Sequence, residues 1–114
     1  MKVFILGPYD KEHAKKFSKA ADALSFKGQD AIDPTKLEKT FQGLQAEDYY
    51  ILRRALIDIS DAVLPLDDWE DSNLAADDCR YAESMGKRFL SLRIQDSERP
   101  QEIYIPLPFE EGKE

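Results

Sequence analysis

The sequence predicts an α/β fold: a parallel sheet of about four to five strands with helices on both faces. Three observations predict it. Short β-branched and aromatic runs, KVFIL (2–6), DAVLPL (61–66) and RFLSLRI (88–94), alternate with longer segments whose apolar residues recur at helical spacing. Turn-forming residues, Gly7-Pro8, Gly28, Pro34 and Gly86, fall at the boundaries. The first run is apolar without alternation, as a strand covered on both faces must be. Strand and helix alternating in this way imply parallel pairing through right-handed crossovers.

The first strand, residues 2–6, stops at Gly7-Pro8. A helix follows Asp10, whose carboxylate suits the free amides of a first turn. It carries Ala14, Phe17, Ala21 and Leu24 along one side and ends at Gly28. DAIDP (30–34) is a short second strand closed by Pro34. Residues 35–45 show little periodicity and read as a loop with a short helical turn at most. The second long helix runs from about Ala46 to Ser60, with Tyr49, Leu52, Ala55, Leu56 and Ile59 along one side. DAVLPL is the third strand, and Pro65, which has no amide to donate, marks its end. Residues 72–85 form the next helix, with Ser72 as N-cap and Gly86 beyond its end. RFLSLRI is the fourth strand. The tail, 95–114, holds one short apolar stretch, Ile103 to Ile105, as an edge strand or an arm onto a neighbour.

A length of 114 residues suits a single domain, with its core in about 2–94. Hydrophobic residues at 42% and charged residues at 34% describe a globular chain. The net charge of −7 sets up a field that repels phosphate backbones, so a nucleic acid polymer is not an expected partner. A single nucleotide can still be held by local backbone amides. No run approaches the roughly 20 apolar residues that cross a bilayer, so no membrane partner is expected. The lone Cys79 permits no disulfide within the chain, which fits a cytoplasmic protein, and on an inner helix face it reads as a small core residue. One His and one Cys far apart give no metal-ligand spacing, and the acids at 67, 68, 70 and 71 lack that of a cation-binding loop. Neither a metal nor a cofactor is expected.

In sheets of this type, ligands sit beyond the carboxyl ends of the strands, where the strand order reverses. Those ends are Gly7-Pro8-Tyr9, Asp33-Pro34 and Asp67-Asp68-Trp69 running into Ser72. The helix that follows has an inner stripe of Ala75, Cys79, Ala82 and Gly86, with the carboxylate of Asp78 beside it. An acid next to a face that should be buried is either a solvated edge or a group at the mouth of a pocket.

The stretches VFILGPYD, DAVLPLDDWEDS and DDCRYAESMG, in that order and spacing, resemble the nucleoside 2-deoxyribosyltransferase superfamily over about residues 2–92. The nearest likeness is to its small branch of uncharacterised function found in phages and bacteria. Gly7-Pro8, Asp61, Trp69, Ser72, Ala82 and Gly86 carry the match. The resemblance implies a flavodoxin/Rossmann-like three-layer fold. It also implies a nucleoside or nucleotide partner and N-glycosidase or deoxyribosyltransferase chemistry at the anomeric carbon. Asp78 then stands where the superfamily has its catalytic Glu, a carboxylate that attacks or stabilises an oxocarbenium-like centre. Gly7, Pro8, Tyr9, Asp68, Trp69 and Ser72 are the implied substrate-binding set.

Three departures keep a second reading open, a non-catalytic nucleotide-derivative binding or interaction protein on a retired enzyme fold. Asp78 is one methylene shorter than Glu. Leu74 replaces the small Gly that follows the Ser. Asp67-Asp68 replace Pro-Gly before the Trp, adding charges that repel a phosphate and that would act on Asp78 if close. The enzyme reading requires Asp78 exposed in a cavity large enough for a nucleoside, with a fold that survives its truncation. Enzymes of the resembled superfamily commonly complete their pockets with a neighbouring subunit. Tyr50 and Ile51 fall away from the Leu52/Leu56/Ile59 stripe, so a two-fold homodimer is expected. Arg53 and Arg54 read as solvated, or one of them as a partner for an acid across a pocket or interface. His13 reads as solvated, or as part of the same rim.

Overall fold

Val3, Phe4, Ile5 and Leu6 are all fully buried, as the unbroken apolar run requires. In the computed structural model they form the central strand β1 (Lys2–Leu6), paired in parallel with β2 (Asp30–Ile32) on one side and β3 (Ala62–Pro65) on the other. Next to β3 lies β4 (Arg88–Ser91), also parallel. The strand β5 (Ile105–Pro106) closes the edge antiparallel to β4, giving the order β2-β1-β3-β4-β5. The structure describes residues 1–91 and the backbone of 105–106. The predicted extension of the fourth strand to residue 94 and the rest of the tail lie outside the described residues.

Alternate residues of the strands serve two faces, and each face has its own helices. Val3, Ile5, Leu64 and Leu90 pack with Phe17, Ala20 and Leu24 of α1 (Ala14–Phe26). Phe4, Leu6, Val63 and Phe89 pack on the opposite face. Their partners there are Ile57 of α3 (Ala46–Ile59) and Ala75, Cys79 and Ala82 of α4 (Asn73–Ser84). Between β2 and α3 the chain forms one further short helix, α2 (Leu37–Thr40). The result is the three-layer α/β fold that the alternation predicts. No helix among the described residues is long and apolar enough to cross a membrane.

Local signals act where they were expected, with small shifts. Asp10 Oδ1 accepts from the His13 amide at 3.0 Å, but it opens a single turn at Lys11–His13 and α1 proper begins at Ala14. Ser72 Oγ accepts from the Ala75 amide at 3.2 Å and caps α4. Gly28 and Gly86 take φ of +78° and +75° just past α1 and α4, a conformation that a side chain would strain. Asp61 Oδ2 accepts from the Lys2 amide at 2.8 Å and fastens the start of β1 to the start of β3.

The face of α3 differs from the predicted stripe. Ile59 is 58% exposed, whereas Arg53 at 6% and Ile57 at 0% turn inward. An apolar count places no Arg on a buried face. This one is buried because an acid from α4 meets it there.

Candidate functional site

The carboxyl ends of β1 and β2 open into a cleft of about 660 Å³, within the size range of small-molecule sites. Tyr9, which follows β1, forms one wall with Lys11, Ala14 and Ser18 at the start of α1. The segment after β2 forms the opposite wall, including Asp33, Pro34, Lys36 and Lys39. Asp33 shapes the start of this wall, because its Oδ1 accepts from the Thr35 amide at 3.0 Å and from the Thr35 hydroxyl at 2.6 Å. Tyr49 and Arg53 of α3 and Leu74 of α4 complete the lining. The Tyr49 hydroxyl donates to the Phe41 carbonyl at 2.8 Å, which fixes its ring.

Asp78 lies behind this cleft and not in its lining. It is completely buried. Its Oδ2 accepts from Arg53 Nε at 2.6 Å and from the Tyr9 hydroxyl at 2.8 Å. Its Oδ1 is buried with no hydrogen-bond partner among the described residues. The Arg53 guanidinium also sits 4.8 Å from the centre of the Tyr9 ring, a cation–π contact. Burial, then the charge of Asp78 and the hydrogen bond to it, pushes the Tyr9 phenol well above the ordinary tyrosine range, with Arg53 partly opposing. Tyr9 therefore stays a donor at any physiological pH. Three side chains from three elements thus form one unit, with Tyr9 and Arg53 facing the cleft and Asp78 holding both from within.

Of the predicted site residues, Tyr9 and Asp78 are brought together and the others stand elsewhere. Gly7 and Pro8 are buried beneath the cleft. A Cβ at Gly7 would lie 2.9 Å from Leu66 Cδ1, so the glycine allows β1 and the end of the β3 segment to approach closely. Asp68 faces α1, accepting from Lys16 Nζ at 2.7 Å and lying 3.1 Å from His13 Nε2. Asp67 Oδ1 lies 3.7 Å from Lys16 Nζ. These acids are matched by cations of α1, and neither takes part in the hydrogen bonds that hold Asp78. Trp69 packs against the Phe4 side of the core. Ser72 is the cap of α4. Leu74, 53% exposed, stands in the cleft wall where the resembled enzymes have a small residue.

His13 is tied at both ring nitrogens, Nδ1 to Asp10 and Nε2 to Asp68. The hydrogen bond to Asp10 holds its imidazole above the usual histidine range. Asp10, Glu12 and His13 lie close enough to be considered as metal ligands, but both ring nitrogens of His13 are already taken by Asp10 and Asp68.

The residues missed by sequence reasoning are Tyr49 and the lysines of the walls, while Arg53 follows the alternative given for the two arginines, a partner for an acid at a pocket. Arg53 lies four residues after Tyr49 and four before Ile57, so helical spacing alone puts it on their side of α3. Arg54 is also not simply solvated: its guanidinium lies 4.5 Å from the Tyr50 ring and 4.0 Å from the Tyr81 ring, and its Nη2 donates to Asp77 at 3.2 Å.

Solved structures that share this fold include two enzymes. A 2-deoxyribosyltransferase from the psychrotolerant bacterium Bacillus psychrosaccharolyticus superposes with a TM-score of 0.66 and 18% identity, over 80% of this chain and 71% of that one. A CMP N-glycosidase from Clostridium botulinum superposes with a TM-score of 0.61 and 16% identity, over 81% of this chain and 71% of that one. At such identities the likeness establishes a nucleoside 2-deoxyribosyltransferase-like fold. No curated protein matches the sequence. A family model described as a domain of unknown function matches residues 1–91, and the chain accordingly belongs to that family, DUF4406.

Proposed function

We propose that the cleft binds a nucleoside or nucleotide and leaves its glycosidic bond intact, so that the chain is a binding protein on an enzyme's fold. The buried Arg53–Asp78 pair carries this reading. A group that attacks or stabilises an anomeric carbon must come within about 3–3.5 Å of it. Asp78 is shielded by Tyr9 and Arg53, and its charge is already met by a guanidinium 2.6 Å away. Freeing it would separate a buried ion pair, at a cost of about 3–5 kcal/mol. The ligand class is supported by the fold neighbours, named as acting on deoxyribosyl groups and on CMP. The cleft's two tyrosines, Tyr9 and Tyr49, offer aromatic surface for a base.

A second reading keeps Asp78 as the catalytic group of an N-glycosidase or deoxyribosyltransferase. The buried Oδ1 favours it, since that oxygen is a spare acceptor just behind the cleft wall. One experiment separates the two: common nucleosides and their 5′-monophosphates are incubated with the protein, with free base followed by chromatography and binding by calorimetry. The expected result is binding without base release. Base release that disappears in Asp78→Asn while binding is retained would establish the second reading, and no binding by any ligand would remove both.

A two-fold homodimer through α3, in the cytoplasm, belongs to the same proposal. Ile51 is 62% exposed and Tyr50 36% exposed on the outer face of that helix. Light scattering at roughly tens of micromolar, in the range of ordinary oligomer affinities, is expected to give the mass of a dimer, and a monomer's mass would remove this part.

A further inference from the structure

We infer that Arg53 is the anion-receiving group of the cleft, that Asp78 is its anchor, and that the ligand carries a phosphate monoester. The inference rests on the nucleoside-or-nucleotide reading of the cleft and chooses the nucleotide.

Arg53 is 6% exposed, and the little of it that is open lines the cleft. A guanidinium has five N–H donors. The Nε donor is committed to Asp78, and the terminal amino groups have no hydrogen-bonded partner among the described residues. Buried charged groups normally have their donors met. An arginine fixed from behind, with its fork unmatched and opening on a cavity, has the form of a receptor for an oxyanion. Asp78 and the Tyr9 ring hold the guanidinium in place before any ligand arrives, so little side-chain freedom is lost on binding.

The surroundings favour a phosphate over a singly charged carboxylate. Lys11, Lys36 and Lys39 line the same cleft, so four cationic side chains face three acids, in a chain whose net charge is −7. Two of those acids have partners of their own, Asp10 with His13 and Asp33 with Thr35. On this view the acid beside the inner stripe of α4 is a positioning residue, and it acts on the ligand through Arg53.

The test is the ratio of dissociation constants for a nucleoside and its 5′-monophosphate, measured by calorimetry, with ribose 5-phosphate as a third ligand. In the wild type the monophosphate is expected to bind at least about ten-fold tighter, the scale of charge-assisted hydrogen bonds. Arg53→Gln with Asp78→Asn removes both charges together and so leaves no unpaired buried charge, and the ratio is expected to fall below about three. Asp78→Asn alone keeps Arg53 but loosens its anchor, and an intermediate ratio is expected. A purely structural Asp78 would change stability and leave the ratio alone. If circular dichroism shows the double variant unfolded, Arg53→Lys takes its place: it keeps a charge but loses the fork, and its ratio is expected to fall as well. A wild-type ratio near one, or a ratio untouched by these changes, overturns the inference while the cleft reading stands. Ribose 5-phosphate binding that depends on Arg53, with no contribution from any base, overturns the nucleotide reading and leaves the anion site.

Discussion

Asp78→Ala is expected to lower the unfolding free energy by about 3–5 kcal/mol, the range seen when one member of a buried ion pair is removed. The Asp78 side chain is fully buried and that of Arg53 is 7% exposed, so the Nε side of the guanidinium, turned away from the cleft, is left with no acid to meet it. The Tyr9 hydroxyl loses its acceptor at the same time. Urea unfolding of the single variant measures the loss. Arg53→Met with Asp78→Leu, which leaves no charge behind, is expected to recover most of it and to fall within roughly 2 kcal/mol of the wild type. A single variant within about 1 kcal/mol of the wild type would mean that water reaches the pair, and the picture of a sealed anchor would fail. The sequence had suggested that truncating Asp78 would leave the fold intact. Its burial reverses that expectation, and it changes how an activity assay must be read. Loss of function in Asp78→Ala would report a weakened fold as readily as a missing nucleophile, whereas Asp78→Asn preserves volume and keeps one acceptor oxygen for Arg53 and Tyr9, and is the milder control when its stability is measured beside its activity.

How far the molecule was legible in the sequence depends on the range of the interactions. The strands and helices were legible because their signals are local. VFIL is apolar at consecutive positions, Gly28 and Gly86 punctuate helix ends, and Ser72 caps α4. The cleft was legible only in part. That ligands gather beyond the carboxyl ends of the strands is a property of the topology, and Tyr9 and Asp33 stand there as predicted. Which strand ends share the opening is decided by pairs far apart in the chain. Lys16 and Asp68, 52 residues apart, draw the segment after β3 toward α1 and away from the cleft. Leu37–Thr40 is too short to show a helical period, so the wall it helps to build read as loop with a short helical turn at most, and the turn is there without its place being legible. That one of the two arginines could meet an acid was legible, but which one, and that it is buried, was not, for a different reason. Hydrophobic periodicity discounts charge, and an Arg can occupy an inward position only if its partner, here 25 residues later, is inward as well.

Tyr9→Phe tests the same unit from its third side. The change removes one hydroxyl and leaves the ring under Arg53. The lost donor served a buried carboxylate, whose other oxygen already has no partner among the described residues, so the expected loss near neutral pH is about 1.5–3 kcal/mol. The pH dependence identifies the contact. A tyrosine in the unfolded chain ionises near pH 10, whereas in the folded chain burial and the charge of Asp78 hold the Tyr9 phenol well above that. The folded state therefore keeps its proton where the unfolded state gives it up. The resulting stability is fully present below about pH 10 and is lost as the pH rises toward the raised value. Unfolding free energies of wild type and Tyr9→Phe, measured from about pH 8 to about pH 11, are expected to converge at the alkaline end. Other alkaline titrations, including that of Tyr81, whose phenol is raised by its hydrogen bond to Asp58, occur in both proteins and cancel in the difference. Tyrosinate absorbance offers a second view: the wild type should show a late-ionising phenol that the variant lacks. A difference that stays constant over that range would mean that the hydroxyl does not face a buried carboxylate. Asp78 would then be free of one of its two donors, and the case for a nucleophile within reach of the cleft would gain what the case for an anchor lost.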